Sequence, residues 1–143
     1  MKAASKKQIL ILCTGNSCRS QMAEGIARYL FGDRYDVYSA GTHPCYVNPN
    51  AITVMAEIGV DISGHRSKSV LEFSNQPIDY VITVCGSADQ ACPTFPGATQ
   101  KIHWGFSDPV HTGETQEERL NAFRKVRDAI WKKFSEEWVT TLV

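Results

Sequence analysis

Charge of one sign does not prevail in this sequence: Lys plus Arg and Asp plus Glu both number 15. That balance gives no electrostatic case for a nucleic acid or an acidic membrane surface as partner. No stretch approaches the length of a membrane span. Lys2, Lys6 and Lys7 stand ahead of the apolar run Ile9–Leu12 as in a leader peptide. The run is too short, however, and is broken by Thr14-Gly15-Asn16, so secretion is not expected. Internal repeats, low-complexity tracts and linkers are all missing. A close Cys-x-x-Cys pair is missing too, and the four histidines are scattered, which makes zinc a poor reading; neither a metal nor a cofactor is expected.

What is present fits a cytoplasmic globular protein. A chain of 143 residues, 43% hydrophobic and 21% charged, predicts one domain over residues 1–143 with a single core, and a monomer is expected. Its five cysteines, Cys13, Cys18, Cys45, Cys85 and Cys92, are an odd number in a chain long enough for its own core. That argues against a secreted disulfide framework and for catalytic or incidental thiols.

The stretch Gln8–Ala27 organises the rest. Ile9–Leu12 is uninterrupted and apolar, as in a strand buried on both faces of a parallel sheet. Small and polar residues follow. Met22, Ala23, Ile26, Ala27, Leu30 and Phe31 then recur at helical spacing. A strand feeding a tight loop into a helix N-terminus makes an anion site, because backbone N–H groups and the helix dipole converge on one spot. Cys13 opens that loop and Arg19 closes it. Such donors and a guanidinium favour thiolate over thiol, so the pattern predicts a nucleophilic sulfur facing a tetrahedral oxyanion.

Further along, Asp36–Ala40 alternates as a strand and Gly41 ends it. Asn48-Pro49 predicts a helix start, with Ile52, Met55 and Ile58 as the buried face and Gly59 as the stop. A short helix is expected from Ser69 to Phe73. Ile78–Val84 reads as the clearest strand of the second half, ending at Cys85-Gly86. Ser87–Gly97 reads as a mobile loop with one helical turn at most. Lys101–Trp104 is a candidate last strand, with Asp108-Pro109 in the loop beyond it. Thr115–Glu118 has the form of a capping box, and Leu120, Phe123, Val126, Ile130, Phe134 and Trp138 mark one long amphipathic helix. Alternating strands and helices predict an α/β fold, a central parallel sheet flanked by helices, with the ligand site at the carboxyl ends of the strands. Cys13, Cys85 and Asp108 each follow a predicted strand.

Oxyanion chemistry at a thiolate needs donors, a nucleophile and an acid for the leaving oxygen, and Asp108 is placed to be that acid. Cys85 and Cys92 separate a redox reading from a hydrolytic one. A reduced substrate takes two electrons from thiols and leaves a disulfide that something else must reopen.

Cys13–Ser20 (Cys-Thr-Gly-Asn-Ser-Cys-Arg-Ser), continued by Gln21-Met22-Ala23-Glu24-Gly25, resembles the catalytic loop (P-loop) of thioredoxin-coupled arsenate reductases. These share the fold of low-molecular-weight protein tyrosine phosphatases. The likeness extends through Ser39–Thr42, Val47–Pro49, Asp61–Ser63, Val84–Gly86 with Cys92-Pro93, and Trp104–Phe106 with Asp108-Pro109. It implies that Cys13 attacks arsenic of arsenate while Arg19 and the loop Thr14, Gly15, Asn16, Ser17, Cys18 and Ser20 hold the oxygens. Asp108 protonates the leaving hydroxyl. Cys85 then attacks Cys13 and releases arsenite, and Cys92 carries the disulfide outward to thioredoxin. Asn16 and Ser20 orient Cys13 and the loop. Cys18 has no redox role in this reading, and Cys45 is assigned nothing. His43, His65, His103 and His111 read as surface or hydrogen-bonding histidines rather than ligands.

Some members of that family hold a potassium ion beside the loop, in a pocket corresponding here to Asn16, Glu24, Ser39 and an acidic residue where this chain has Lys68. An ammonium in the cation's place and a solvated lysine both fit the sequence. Two rival readings of the whole chain stand beside arsenate reduction. A tyrosine phosphatase would carry aromatic residues after Asp108-Pro109, where Val110 and His111 stand, and would not need Cys85 with Cys92. A non-enzymatic thiol sensor of arsenite or metal would have no use for Asp108 or the oxyanion loop.

Overall fold

The computed structural model describes residues 6–84, 100–110 and 112–138. Cys85, Cys92 and His111, with the expected loop Ser87–Gly97, lie outside the described residues. Strand β1 (Lys7–Cys13) is fully buried from Ile9 to Leu12, as its unbroken apolar run predicts. It pairs in parallel with β2 (Tyr35–Gly41) on one side and with β3 (Tyr80–Thr83) on the other. β3 pairs in parallel with β4 (Gln100–His103), giving the order β2-β1-β3-β4. The chain thus reverses its winding at β1, which sits in the middle of the sheet. The carboxyl end of that central strand is where a ligand crevice forms in such sheets.

Helix α1 (Arg19–Phe31) follows β1 directly, burying Met22, Ala23, Ile26, Ala27 and Phe31. Gly25 lets it approach the chain after α2: a Cβ there would lie 2.8 Å from Ile62 Cγ2. Helix α2 (Pro49–Ala56) starts where predicted, with Asn48 capping and Pro49 at the first position. Its buried face is rotated from the expected one. Ala51, Val54 and Met55 are fully buried, whereas Ile52 and Ile58 are half-buried. The small Ala51 was invisible to a pattern built on large aliphatics. Gly59 takes a left-handed φ of 78° just after the helix, in keeping with a stop.

A 3₁₀ turn, Val70–Phe73, is capped by Ser69. Helix α3 (Gln116–Lys132) is capped by Thr115, whose hydroxyl accepts from the Glu118 N–H. One departure is informative. The predicted single helix changes at Lys133–Trp138 into a π-helical turn. The buried positions Ile130, Phe134 and Trp138 step by four, more than the 3.6 residues of an α-turn, so each step swings the face away. A wider turn cancels the swing and keeps Phe134 and Trp138 in the core. There Trp138 meets Tyr80 edge-on at 5.2 Å and Trp104 meets Phe134 at 5.0 Å.

Candidate active site

β1 ends at Cys13, which is 3% exposed. The loop from Thr14 to Cys18 then curls back to start α1 at Arg19. Its conformation is fixed by where its carbonyls go. The carbonyls of Cys13, Thr14, Gly15 and Ser17 accept from the N–H groups of Thr42, His43, Cys45 and Asn48. The Asn16 carbonyl accepts from Gln21 Nε2, and the Gly15 carbonyl also from Ser67 Oγ. In a trans peptide the N–H points opposite to the preceding carbonyl. Carbonyls turned outward therefore turn the N–H edges of residues 14 to 18 inward. Cys18, the N-cap of α1, makes no side-chain cap bond, so the helix opens directly on the same spot. Gly41, at the end of β2, lies so close beneath that a Cβ would sit 2.5 Å from the Thr14 oxygen.

Asn16 is the keystone of the curl. It is fully buried and holds a left-handed φ of 48°, unusual for a residue with a Cβ. Its Oδ1 accepts from the Lys68 N–H at 2.9 Å, which fixes the amide orientation. Its Nδ2 then donates to Ser20 Oγ at 2.8 Å and to Ser39 Oγ at 3.0 Å. Ser20, having accepted that proton, has its own hydroxyl hydrogen to give to Cys13 Sγ at 3.1 Å. Ser39 likewise donates to Glu24 Oε1 at 2.6 Å.

Arg19 aims its guanidinium over the loop. Its Nη1 donates to the Phe106 carbonyl at 3.2 Å, and its Nη2 lies 3.7 Å from Asp108 Oδ2. Its Nε is buried with no hydrogen-bond partner among the described residues, a donor position suited to an oxyanion. Asp108 is half exposed, and its Oδ1 accepts from the Val110 N–H at 3.0 Å, which holds the 108–110 turn. Cys13, Arg19 and Asp108 share one cleft of about 200 Å³ with Thr14, Gly15, Ser17, Cys18, Tyr46 and Val110. A larger hollow of about 680 Å³ opens on the other side of Asp108, against α3. The smaller one contains the sulfur and the donors, so the chemistry belongs there.

The two loop thiols differ in kind. Burial, with the charges of Cys13 and Asp108 nearby, pushes Cys18 up to about 12, so it stays a neutral thiol. Cys45, exposed, lines the cleft mouth, and a Cβ on Gly15 would meet its sulfur at 3.1 Å. Among the described residues no group of three or more His, Cys, Asp or Glu is placed to hold a metal ion, and no helix is long and apolar enough to cross a membrane.

The structure thus brings together Cys13, Arg19, Asp108 and the loop Thr14–Ser20. Cys85 and Cys92 lie outside the described residues, although the Val84 N–H donates to the Leu12 carbonyl at 2.9 Å, so the chain leaves β3 beside the Cys13 end of β1. Sequence reasoning missed Gln21 and Ser67, which hold the loop's carbonyls. It also missed the specific partner of His65, whose Nδ1 faces Gln21 Oε1 at 3.0 Å. Gln21 sat inside the quoted motif, but nothing in a linear pattern distinguishes an inward glutamine from an outward one.

Comparison with known proteins agrees with this geometry. A protein of Halalkalibacterium halodurans named arsenate reductase is 50% identical over 129 residues, covering 90% of this chain and 93% of its own. A solved arsenate reductase in the phosphate binding state superposes with a TM-score of 0.76 at 31% identity, covering 96% of this chain and 99% of that one. The thioredoxin-dependent arsenate reductase of Corynebacterium glutamicum gives a TM-score of 0.64 at 27% identity, over 94% of this chain and 64% of that one. Residues 8–142 match the low molecular weight phosphotyrosine protein phosphatase family, and the chain belongs to it.

Proposed function

We propose that this protein reduces arsenate to arsenite, with Cys13 as nucleophile. The observation that carries the proposal is the cleft itself: a sulfur held by a serine hydroxyl at 3.1 Å, facing a loop of inward N–H edges, an arginine whose buried Nε has no partner among the described residues, and a carboxyl beside that arginine. The redox half rests on the 50% identical relative named arsenate reductase and on the presence of Cys85 and Cys92.

Cys13 thiolate attacks arsenic(V), whose oxygens the loop N–H groups and Arg19 hold as charge builds on them. Asp108, protonated, hands its proton to the departing hydroxyl, which leaves as water. The product is a Cys13–arsenic(V) adduct. Cys85 thiolate then attacks Cys13 sulfur. A disulfide forms, the sulfur–arsenic bond breaks, and its electron pair goes to arsenic, which leaves as arsenite. Cys92 attacks Cys85, freeing Cys13 and leaving a Cys85–Cys92 disulfide. A dithiol donor must reopen that bond. Thioredoxin is the proposed one, in line with the Corynebacterium relative. The Cys18 thiol takes no redox part, because burial holds it neutral.

The experiment is a paired assay of the purified protein. Arsenite production with thioredoxin, thioredoxin reductase and NADPH is measured beside hydrolysis of a small aryl phosphate. The proposal expects thioredoxin-dependent arsenite release, with at most weak hydrolysis. Efficient hydrolysis with no arsenite would make the protein a phosphatase.

A further inference from the structure

The carboxylate of Glu24 is buried beneath the catalytic loop, its side chain 4% exposed, and nitrogen groups surround it. Lys68 Nζ stands 3.7 Å from Oε1, while Arg28 Nη2 and His65 Nε2 stand 3.1 and 3.5 Å from Oε2. The Lys68 ammonium and the Arg28 guanidinium bring positive charge to that carboxylate. The Lys68 side chain is itself mostly buried, with Nζ donating to the Arg66 carbonyl at 3.1 Å. One residue therefore makes two connections. Its ammonium faces Glu24, and its backbone N–H holds Asn16 Oδ1, from which the chain of hydrogen bonds runs through Ser20 to Cys13.

The potassium ion that the family resemblance implies does not fit this arrangement. The acid it would use at position 68 is a lysine. Asn16 Oδ1 is already taken by the Lys68 N–H, and Ser39 Oγ already accepts from Asn16 and donates to Glu24. The single carboxylate here already faces the Lys68 ammonium and the Arg28 guanidinium, so a further positive charge beside it would meet repulsion from both.

We propose that Lys68 is the loop's built-in cation, a positioning residue whose ammonium does for Glu24 what a bound monovalent ion would otherwise do, while its backbone N–H holds Asn16 Oδ1. The loop is then held in its anion-binding shape with no requirement for potassium.

Thermal unfolding and thallium binding read this without any turnover, so their outcome is separate from that of the arsenate reading. Thallium(I) is used as the probe because it replaces potassium and its NMR resonance reports binding. In wild-type protein the unfolding midpoint is expected to be the same in potassium, sodium and choline chloride at matched ionic strength, with no saturable thallium binding. Lys68→Asp rebuilds the acidic position and is expected to gain a midpoint increase specific to potassium, together with saturable thallium binding. Lys68→Arg is expected to stay indifferent to the cation. If the catalytic reading also holds, potassium should raise kcat of Lys68→Asp more than it lowers KM, and leave wild type unchanged. Saturable thallium binding to wild type, or a potassium-specific midpoint increase in it, would overturn the proposal. So would a folded Lys68→Asp indifferent to potassium. If that variant does not fold, the wild-type titration decides alone.

Discussion

Replacing Asn16 separates two contributions that the loop geometry places in one residue. Asn16→Gly removes the side chain but suits the left-handed φ of 48°. It deletes the bonds to Ser20, Ser39 and the Lys68 N–H, at 2.8, 3.0 and 2.9 Å. At about 1 kcal/mol each for net neutral hydrogen bonds, the loss is about 3 kcal/mol. Asn16→Ala loses the same bonds and must also hold a Cβ in the left-handed region, adding about 1 kcal/mol. The expected stability order is therefore wild type, then Gly, then Ala. Urea unfolding followed by fluorescence of the buried Trp138 and Trp104 measures both gaps, provided m stays constant. Both variants should also lose most of their activity, because Ser20 is no longer oriented toward Cys13. A glycine variant within about 0.5 kcal/mol of wild type would refute the keystone role, since that gap approaches the error of the extrapolation. An alanine variant more stable than glycine would refute the backbone part.

Arg19→Lys keeps the charge but loses the planar fork that reaches the Phe106 carbonyl and the oxyanion together; steady-state kinetics should show a loss of about 10²-fold or more in kcat/KM. Native alkylation with iodoacetamide near pH 8, read by peptide mass spectrometry, should label exposed Cys45 and spare Cys18, whose buried thiol is pushed up to about 12; rapid labelling of Cys18 would contradict its assignment as a neutral thiol. Glu57 joins the end of α2 to α3, accepting from Arg124 at 2.7 Å and from Arg127 at 2.8 Å, and the Arg124 hydrogen bond above all holds its carboxyl down to about 2. Glu57→Gln should cost about 1 kcal/mol at neutral pH, discounted for partial exposure. Because the folded value lies below the ordinary 4.5, the gap should be full above about pH 5 and close as pH falls toward 2, as urea melts across that range would show.

How much of this was legible depended on whether a feature is local in sequence. The unbroken run Ile9–Leu12, the Asn48-Pro49 start and the Thr115 cap each announce themselves within a few residues, and the structure has them where expected. The strand ends shifted by one or two positions, since pairing across the sheet decides them: Tyr80–Thr83 where Ile78–Val84 was expected. The π-helical turn was legible only as a drift in spacing. The α2 face was misplaced because alanine carries little weight in a hydrophobic pattern, yet Ala51 is fully buried. In the site, Cys13 and Asp108 could be grouped because strand ends converge in parallel sheets, and Arg19 because it closes the loop that Cys13 opens. The ring behind them, from Asn16 through Ser39, Glu24, His65 and Gln21 back to Asn16, joins residues up to 44 positions apart. The family resemblance already grouped Asn16, Glu24 and Ser39, but a polar side chain carries no signal of its own for which partner it meets, so the links through His65 and Gln21 show only in the fold.

The most direct test of the central claim is to stop the reaction after one turnover. Cys92→Ser removes the outer thiol while leaving Cys13, Arg19, Asp108 and Cys85 in place. Reduced variant is mixed with arsenate, quenched with acid and alkylating agent, digested and mapped by mass spectrometry, with arsenite counted in the same sample. The account predicts about one arsenite per chain and a Cys13–Cys85 disulfide that accumulates in step with it. Steady cycling of Cys92→Ser with thioredoxin at the wild-type rate, or arsenite released with Cys13 still a free thiol, would contradict it.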